Sequence, residues 1–339
     1  MKTRKFAMVI LFFNSLAQAQ DPEFSQYYAA PLYLNPAFAG TSVDHRFIAN
    51  YRNQWPNVTR AFETYSFSYD YNLDQYNSGL GFLLMADKAG SANLKSTQFN
   101  FQYAYKVKLS DKLILSSGLN FGVGSRTIDF NKLVFYQQLD FSQGGDNIPP
   151  PPSDLNIQGS TYFDFGAGLL MYSRKVWLGF STAHLNRPNR SLLDDESEIP
   201  VKTSVHGGVR IPLYHGMFKR ERTASIAPSF VYKQQGNFDQ LDLGTYFFYE
   251  PVVVGLWYRG IPIRQNAKDN ISQDAVVVVL GFQLQNLELS YSYDVTVSEL
   301  GPISGGSHEV GLKFKIELAA QVKKRKRERF IPCPTFNKD

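Results

Sequence analysis

Along most of this chain apolar and polar residues alternate with a period of two. In residues 96–106, Phe99, Phe101, Tyr103 and Tyr105 fall on one side of an extended strand, and Gln98, Asn100, Gln102, Ala104 and Lys106 fall on the other. A helix would scatter both sets. The alternation returns at Tyr65, Phe67, Tyr69 and Tyr71 against Ser66, Ser68 and Asp70, and at Leu287, Leu289, Tyr291, Tyr293 and Val295 against Glu288, Ser290, Ser292 and Asp294. One face suits an oily surround and the other suits water. A half-buried soluble sheet shows this pattern too, but many such strands of roughly ten residues fit a transmembrane barrel better.

Turn residues bound fourteen strand candidates, near 45–52, 62–71, 78–88, 95–108, 112–126, 160–173, 175–184, 202–212, 223–233, 238–249, 251–260, 273–283, 286–296 and 307–317. An even count brings both termini to one side, the periplasmic side of an outer-membrane barrel. Connections after even-numbered strands are mostly minimal, as at 110–111, 173–174, 249–251 and 285–286, and those after odd-numbered strands are mostly longer, up to the stretch between 126 and 160. Short periplasmic turns and long outer loops are the expected asymmetry. The basic connection 215–222 and the short turn 234–237 depart from it.

Composition changes this picture little. Aromatic residues make up 15% of the chain, with 20 Tyr and 27 Phe, as strands and interfacial girdles require. The mean hydropathy of −0.27 would pass for a soluble protein, because half of each barrel strand is polar. At the start, Lys2, Arg4 and Lys5 precede a mostly apolar run, 6–16, and Ala17-Gln18-Ala19 supplies a small-x-small cleavage pattern. This is the layout of a secretory signal peptide over 1–19, too short for a membrane anchor. No cysteine follows it to receive a lipid, and the single cysteine, Cys333, excludes an internal disulfide.

The segment 20–44 follows no periodic template. Its candidate contact residues are Phe24, Tyr27, Tyr28, Pro31, Tyr33, Asn35, Pro36, Phe38 and Gly40, and its prolines block regular helix and central strand alike. A segment this apolar is expected to pack, either as a plug in the lumen or as an arm on the periplasmic rim. Glycines on the polar face of the strands, namely Gly81, Gly118, Gly122, Gly124, Gly166 and Gly168, are candidates for the lumen wall that receives it. They equally suit relief of curvature in a closed sheet.

Candidate chemistry is sparse. The five histidines are dispersed without metal-ligand spacing, no Gly-x-Ser-x-Gly elbow occurs, and Gly122-Val-Gly124 lacks the rest of a dinucleotide loop. No cofactor, metal or catalytic residue is expected. Two outer loops stand out: prolines 149–152 form a stiff rod that could be a recognition ridge or a spacer, and the acidic run 194–198 lacks calcium-loop spacing. The tail 318–339 carries Lys323, Lys324, Arg325, Lys326, Arg327 and Arg329. It suits retention at the inner rim or docking to a periplasmic partner, and export argues against nucleic acid.

The run FSQYYAAPLYLNPAFAGT at 24–41, the stretch 45–55 with Tyr51-Arg-Asn-Gln-Trp55, and the ending Cys333-Pro-Thr-Phe336 resemble the PorP/SprF family of outer-membrane proteins from type IX secretion and gliding machineries. The resemblance touches both ends, with barrel-like sequence between. It implies an all-β transmembrane antiparallel barrel over 45–317, embedded in outer-membrane lipid and supporting secretion or surface attachment of cargo. It also implies two partners: a secreted cargo protein, through its C-terminal sorting domain, and a periplasmic lipoprotein linked to the cell wall. A plugged uptake barrel for a hydrophobic small molecule is the alternative, since fourteen strands and an N-terminal plug also describe long-chain fatty-acid transporters, and a continuous apolar pocket or a wet pore in the lumen would mark it. A soluble adhesin-like sandwich would need polar outer faces, which the aromatic stripes deny it.

Overall fold

The computed structural model describes residues 21–42, 45–58, 62–90, 93–129, 159–192, 197–214, 224–265, 271–297 and 304–316. Fifteen strands form one antiparallel sheet: β1 His45–Gln54, β2 Phe62–Leu73, β3 Ser78–Ala89, β4 Leu94–Ser110, β5 Leu113–Thr127, β6 Ser160–Tyr172, β7 Val176–Ala183, β8 Lys202–Val209, β9 Ile211–Tyr214, β10 Ala224–Gln235, β11 Phe238–Tyr249, β12 Val252–Gln265, β13 Ile271–Leu284, β14 Leu287–Thr296 and β15 Ser307–Ile316. The strand expected at 202–212 is interrupted at Arg210: its backbone N–H donates to Lys175 O on the β7 side, and in the register that pairs Gly208 with Ser229 the residue opposite Val209 is Pro228, which has no N–H to give β8. β9 nevertheless keeps the register of β8 against β10, with Gly208 opposite Ser229 and Ile211 opposite Ile226. The wall therefore has fourteen staves, and β9 is the end of the eighth.

Closure comes from β1 pairing with β15, from His45↔Ile316 to Gln54↔Ser307. Closure removes the sheet edges, which no lipid-exposed sheet can leave unpaired. Side-chain alternation then sorts the residues as the pattern predicts. Phe67, Phe82, Phe99, Phe121, Phe165, Leu169, Phe247 and Tyr291 face outward and exposed, while Ser66, Ser68, Asp70, Asn100, Gln102, Asn120 and Ser292 are buried inside. Outward aromatic rings pair across neighbouring strands, with His45 stacked 4.6 Å from Tyr71 and Phe47 4.8 Å from Tyr69.

The two ends of the barrel differ. At the end holding His45 and Ile316, the connections at 111–112, 173–175, 250–251 and 285–286 are tight, and 74–77 is one helical turn closed by Asn77 in the left-handed region. The other end carries the long connections 128–159, 184–201 and 297–306, together with the short turns 90–93 and 236–237. These are the short-turn and long-loop ends, periplasmic and outer by the asymmetry of such barrels. The proline rod, most of the acidic run and the basic tail lie outside the described residues.

The barrel is filled. Residues 21–42 form an arm through the lumen, with helical turns at Tyr27–Ala29, Pro31–Leu34 and Pro36–Phe38. Pro31 and Pro36 stand at the start of their turns, where a missing N–H costs nothing. Asn35 caps the last turn by accepting from Ala37 N at 2.9 Å.

Candidate functional site: the luminal arm

The arm starts at one end of the barrel and finishes at the other. Asp21 N donates to Gln235 Oε1, and the Asp21 carboxylate lies 2.8 Å from His184 Nε2 and 3.4 Å from Lys202 Nζ. All three partners sit at the long-loop end, where β10, β7 and β8 meet their connections. Gly40 sits beside Asn72 and Gly79 at the short-turn end. The expectation that both termini share one side thus holds for the ends of the strands and fails for the arm. The arm climbs back through the lumen because its uncharged residues 24–41 find there the only interior the barrel offers.

In its second half the arm meets the wall by close backbone approach. A methyl group added at Gly79 would stand 2.1 Å from Ala39 O, one at Gly118 2.3 Å from Ala37 N, and one at Gly168 2.0 Å from Asn35 Oδ1. Gly81 receives the Leu32 side chain. Wall polar groups close on arm carbonyls: Gln102 Nε2 donates to Leu32 O, Ser181 Oγ to Leu34 O and Ser116 Oγ to Ala37 O. Asn35 Nδ2 donates to Leu169 O and Phe180 O. Arg46, bound to Asp70 at 2.6 Å, also donates to Phe38 O, while Gly40 N donates to Asp70 and Lys106 Nζ to Gly40 O. Phe38 stacks 5.3 Å from His206, and Tyr28 meets Trp177 edge-on at 5.8 Å. These contacts give donors to the carbonyls of Leu32, Leu34, Ala37, Phe38 and Gly40, as a water-poor interior demands.

The first half is held by ions. Ser25 Oγ donates to Asp294 and accepts from Arg52 and Arg259, and its backbone N–H donates to Glu309 at 2.7 Å. Arg52 bridges Asp294 and Glu309, Arg259 bridges Asp242 and Asp294, and all five side chains are buried. Tyr27 OH accepts from Arg259 Nη2 at 2.9 Å, and its ring lies 5.7 Å from Trp257. Glu23 lies 3.3 Å from Lys233 Nζ, which also rests over the Tyr27 ring. Phe24 packs edge-on against Tyr33, whose hydroxyl donates to Pro22 O and so folds the arm's start onto its middle.

Burial would by itself raise the Glu23 carboxyl, yet Lys233, Arg259 and Lys202 hold it down at about 2. Asp21 is likewise held below the usual carboxylate range against its burial, by Lys202 and His184. Burial pushes the His184 imidazole down, but Asp21 and Asp164 on its two nitrogens lift it to about 9. Near neutral pH His184 is therefore a cation clamped between two carboxylates.

Above this half lies a cavity of about 610 Å3, bordered by Asp21, Pro22 and Glu23 and walled by Gln54, Trp55, Phe62, Asp87, Gln98, Arg126, Arg190, Phe238 and Asp274. It is a vestibule at the long-loop end. Among the described residues no cluster of three metal-binding side chains occurs.

The candidate arm residues all lie within the lumen, with Tyr33 half-buried and the others buried. The candidate glycines divide. Gly81, Gly118 and Gly168 face the arm, but Gly122 faces Asn100 and Asp164, Gly124 faces the Tyr162 ring, and Gly166 faces Thr182 O and Asn120. The last three face other parts of the wall, side chains at Gly122 and Gly124 and the Thr182 carbonyl at Gly166, because the arm crosses their strands at a lower level. Gly79 was missed, although its spacing of two from Gly81 marks it as inward. Asp21 and Glu23 were missed as well, and their signal is plain: they are the arm's only charged residues between 21 and 42. The buried charges Arg46, Arg52, Asp70, Asp242, Arg259, Asp294 and Glu309 could have been picked out as charged residues on the polar face of aromatic-backed strands. The basic residues 323–329 lie outside the described residues.

Among solved structures the barrel is similar to Omp33 of Acinetobacter baumannii, at 7% identity and a TM-score of 0.42, covering 82% of this chain and 100% of that one. It is similar to the toluene transporter TbuX of Ralstonia pickettii, at 10% identity and 0.43, covering 85% and 94%. A third is the monoaromatic hydrocarbon channel CymD, at 12% and 0.43, covering 86% and 93%. No curated protein sequence matches. The family model for the type IX secretion system membrane protein PorP/SprF matches residues 16–314, so it spans both the arm and nearly the whole wall, and the chain belongs to that family.

Proposed function

We propose that the barrel serves its secretion system as a closed platform in the outer membrane, supporting secretion or surface attachment of cargo proteins without an enzymatic step. Cargo would engage the long-loop end through its C-terminal sorting domain. A periplasmic lipoprotein linked to the cell wall would engage the short-turn end, from which the basic residues 323–329 continue. The arm carries this reading: it fills the lumen and is tied to the wall from Asp21 to Gly40 by ion pairs and close backbone contacts. A barrel so sealed is a poor conduit and a rigid anchor.

Uptake of a hydrophobic small molecule is less well supported, because the apolar wall residues Trp177, Val231, Tyr246, Trp257 and Val279 are packed in one buried cluster with the arm's own Tyr27, Tyr28 and Phe38, and the rest of the wall at arm level carries Arg46, Arg52, Asp70, Arg259, Asp294 and Glu309. Conductance in planar bilayers tests the seal. The intact protein is expected to conduct little and a variant lacking residues 21–42 to open a steady pore. Equal conductance from both would remove the arm as a seal, and gentle purification without any co-purifying secreted protein would count against the platform.

A further inference from the structure

The upper end of the arm has no secondary structure over 21–24, and Asp21 and Glu23 project their carboxylates onto wall cations. Lys202 and Lys233 are nearly buried, at 12% and 10% side-chain exposure. Among the described residues, the only carboxylate within 4 Å of Lys202 is Asp21. Lys233 has Glu23 at 3.3 Å and, in the wall, only Asp242 at 4.0 Å, which is already committed to Arg259. A buried cation stripped of its carboxylate is strongly unfavourable. The wall is therefore built to receive two carboxylates two residues apart on one chain segment.

The same stretch borders the vestibule at the long-loop end, which Arg126 and Arg190 also line. Residues 34–40 are held by their own glycine contacts and by the Arg46–Asp70 pair. The upper end is tied to the middle of the arm through Tyr33, which packs on Phe24, donates to Pro22 O and accepts from Lys202, so that release of the upper end breaks those contacts as well. The upper end can thus leave its sites while the lower arm keeps the barrel sealed. We propose that the Lys202–Lys233–His184 site is a recognition site for an extended acidic peptide segment of a partner protein, which the chain's own Asp21 and Glu23 occupy in the state described. The arm is then an internal competitor. This exchange stands whether or not the barrel carries cargo.

A fluorescent peptide of the chain's own sequence DPEFSQ, and its neutral counterpart NPQFSQ, test the site on the full protein in detergent. The D21N/E23Q protein is expected to bind the acidic peptide at least tenfold more tightly than the wild type and to ignore the neutral one. Adding Lys202→Met and Lys233→Met in that background should abolish the binding. A second variant, lacking only 21–24, should behave as D21N/E23Q does, with the heat-dependent gel shift of a folded barrel as the check on folding. Failure of both folded variants to bind the acidic peptide, or equal binding of the neutral one, overturns the proposal. So does binding that survives loss of both lysines.

Discussion

Between residues 21 and 26 the arm meets the barrel through charge, and between 31 and 40 it meets it through backbone. The upper part supplies two carboxylates of its own and borrows Arg52 and Arg259 to hold Ser25. The lower part has no charged side chain, and the wall's Arg46 and Lys106 are spent on its carbonyls. The difference follows from what each part faces. Residues 21–23 of the upper part border the vestibule and are half-buried, while Ser25 and Gln26 are buried beside the charges of Arg52, Asp294 and Glu309. The lower part lies in a crowded interior, where only glycines let two backbones approach and every carbonyl needs a donor. One arm therefore combines a latch and a permanent seal.

The largest effect expected is one of topology. A short epitope inserted between Gln20 and Asp21 should be labelled on intact cells, because Asp21 sits at the long-loop end. Labelling that appears only after the outer membrane is opened would invert the two halves. Next in size is the glycine contrast. Gly118→Val places a side chain where Ala37 N already stands, and overpacking typically costs about 1–3 kcal/mol. Protease should then reach the arm while the barrel stays folded. Gly122→Val, whose neighbours are Asn100 and Asp164, should leave the arm protected. Equal protection in the two variants would mean that the lower part is not held by close approach.

The smallest effect is a fraying of the upper part with pH. The folded His184 value of about 9 lies above its ordinary 6.5, so its contribution is complete below about 6.5 and is lost as pH rises through 9. Asp21 shifts the other way: its contribution is present above its ordinary 3.8 and is lost only in strong acid. The latch should be tightest between those limits. A cysteine placed at Pro22 should react faster with a thiol reagent at pH 9.5 than at pH 7, after correction for the reagent's own pH response, and His184→Gln should flatten that difference. A flat profile in the unaltered latch would show that the ion pair does not hold the upper part.

The alternation of residues such as Phe99 to Lys106 determined the barrel, its inward and outward faces and its strand count, because a period of two has only one way to satisfy lipid outside and polar groups inside. The break at Arg210 escaped it, since Pro228 comes to stand opposite Val209 only once β8 and β10 have paired. The apolar, proline-punctuated stretch 24–41 announced an arm that must pack, but not where, since lumen and rim would bury the same residues. Only the tertiary structure decided that the arm runs from the long-loop end to the short-turn end. It also decided which inward glycines the arm touches: Gly118 and Gly122 are alike in the sequence and differ only in the height at which the arm crosses them. Asp21 and Glu23 acquired their partners in the same way, from Lys202 and Lys233, which are brought to them only once the sheet has closed.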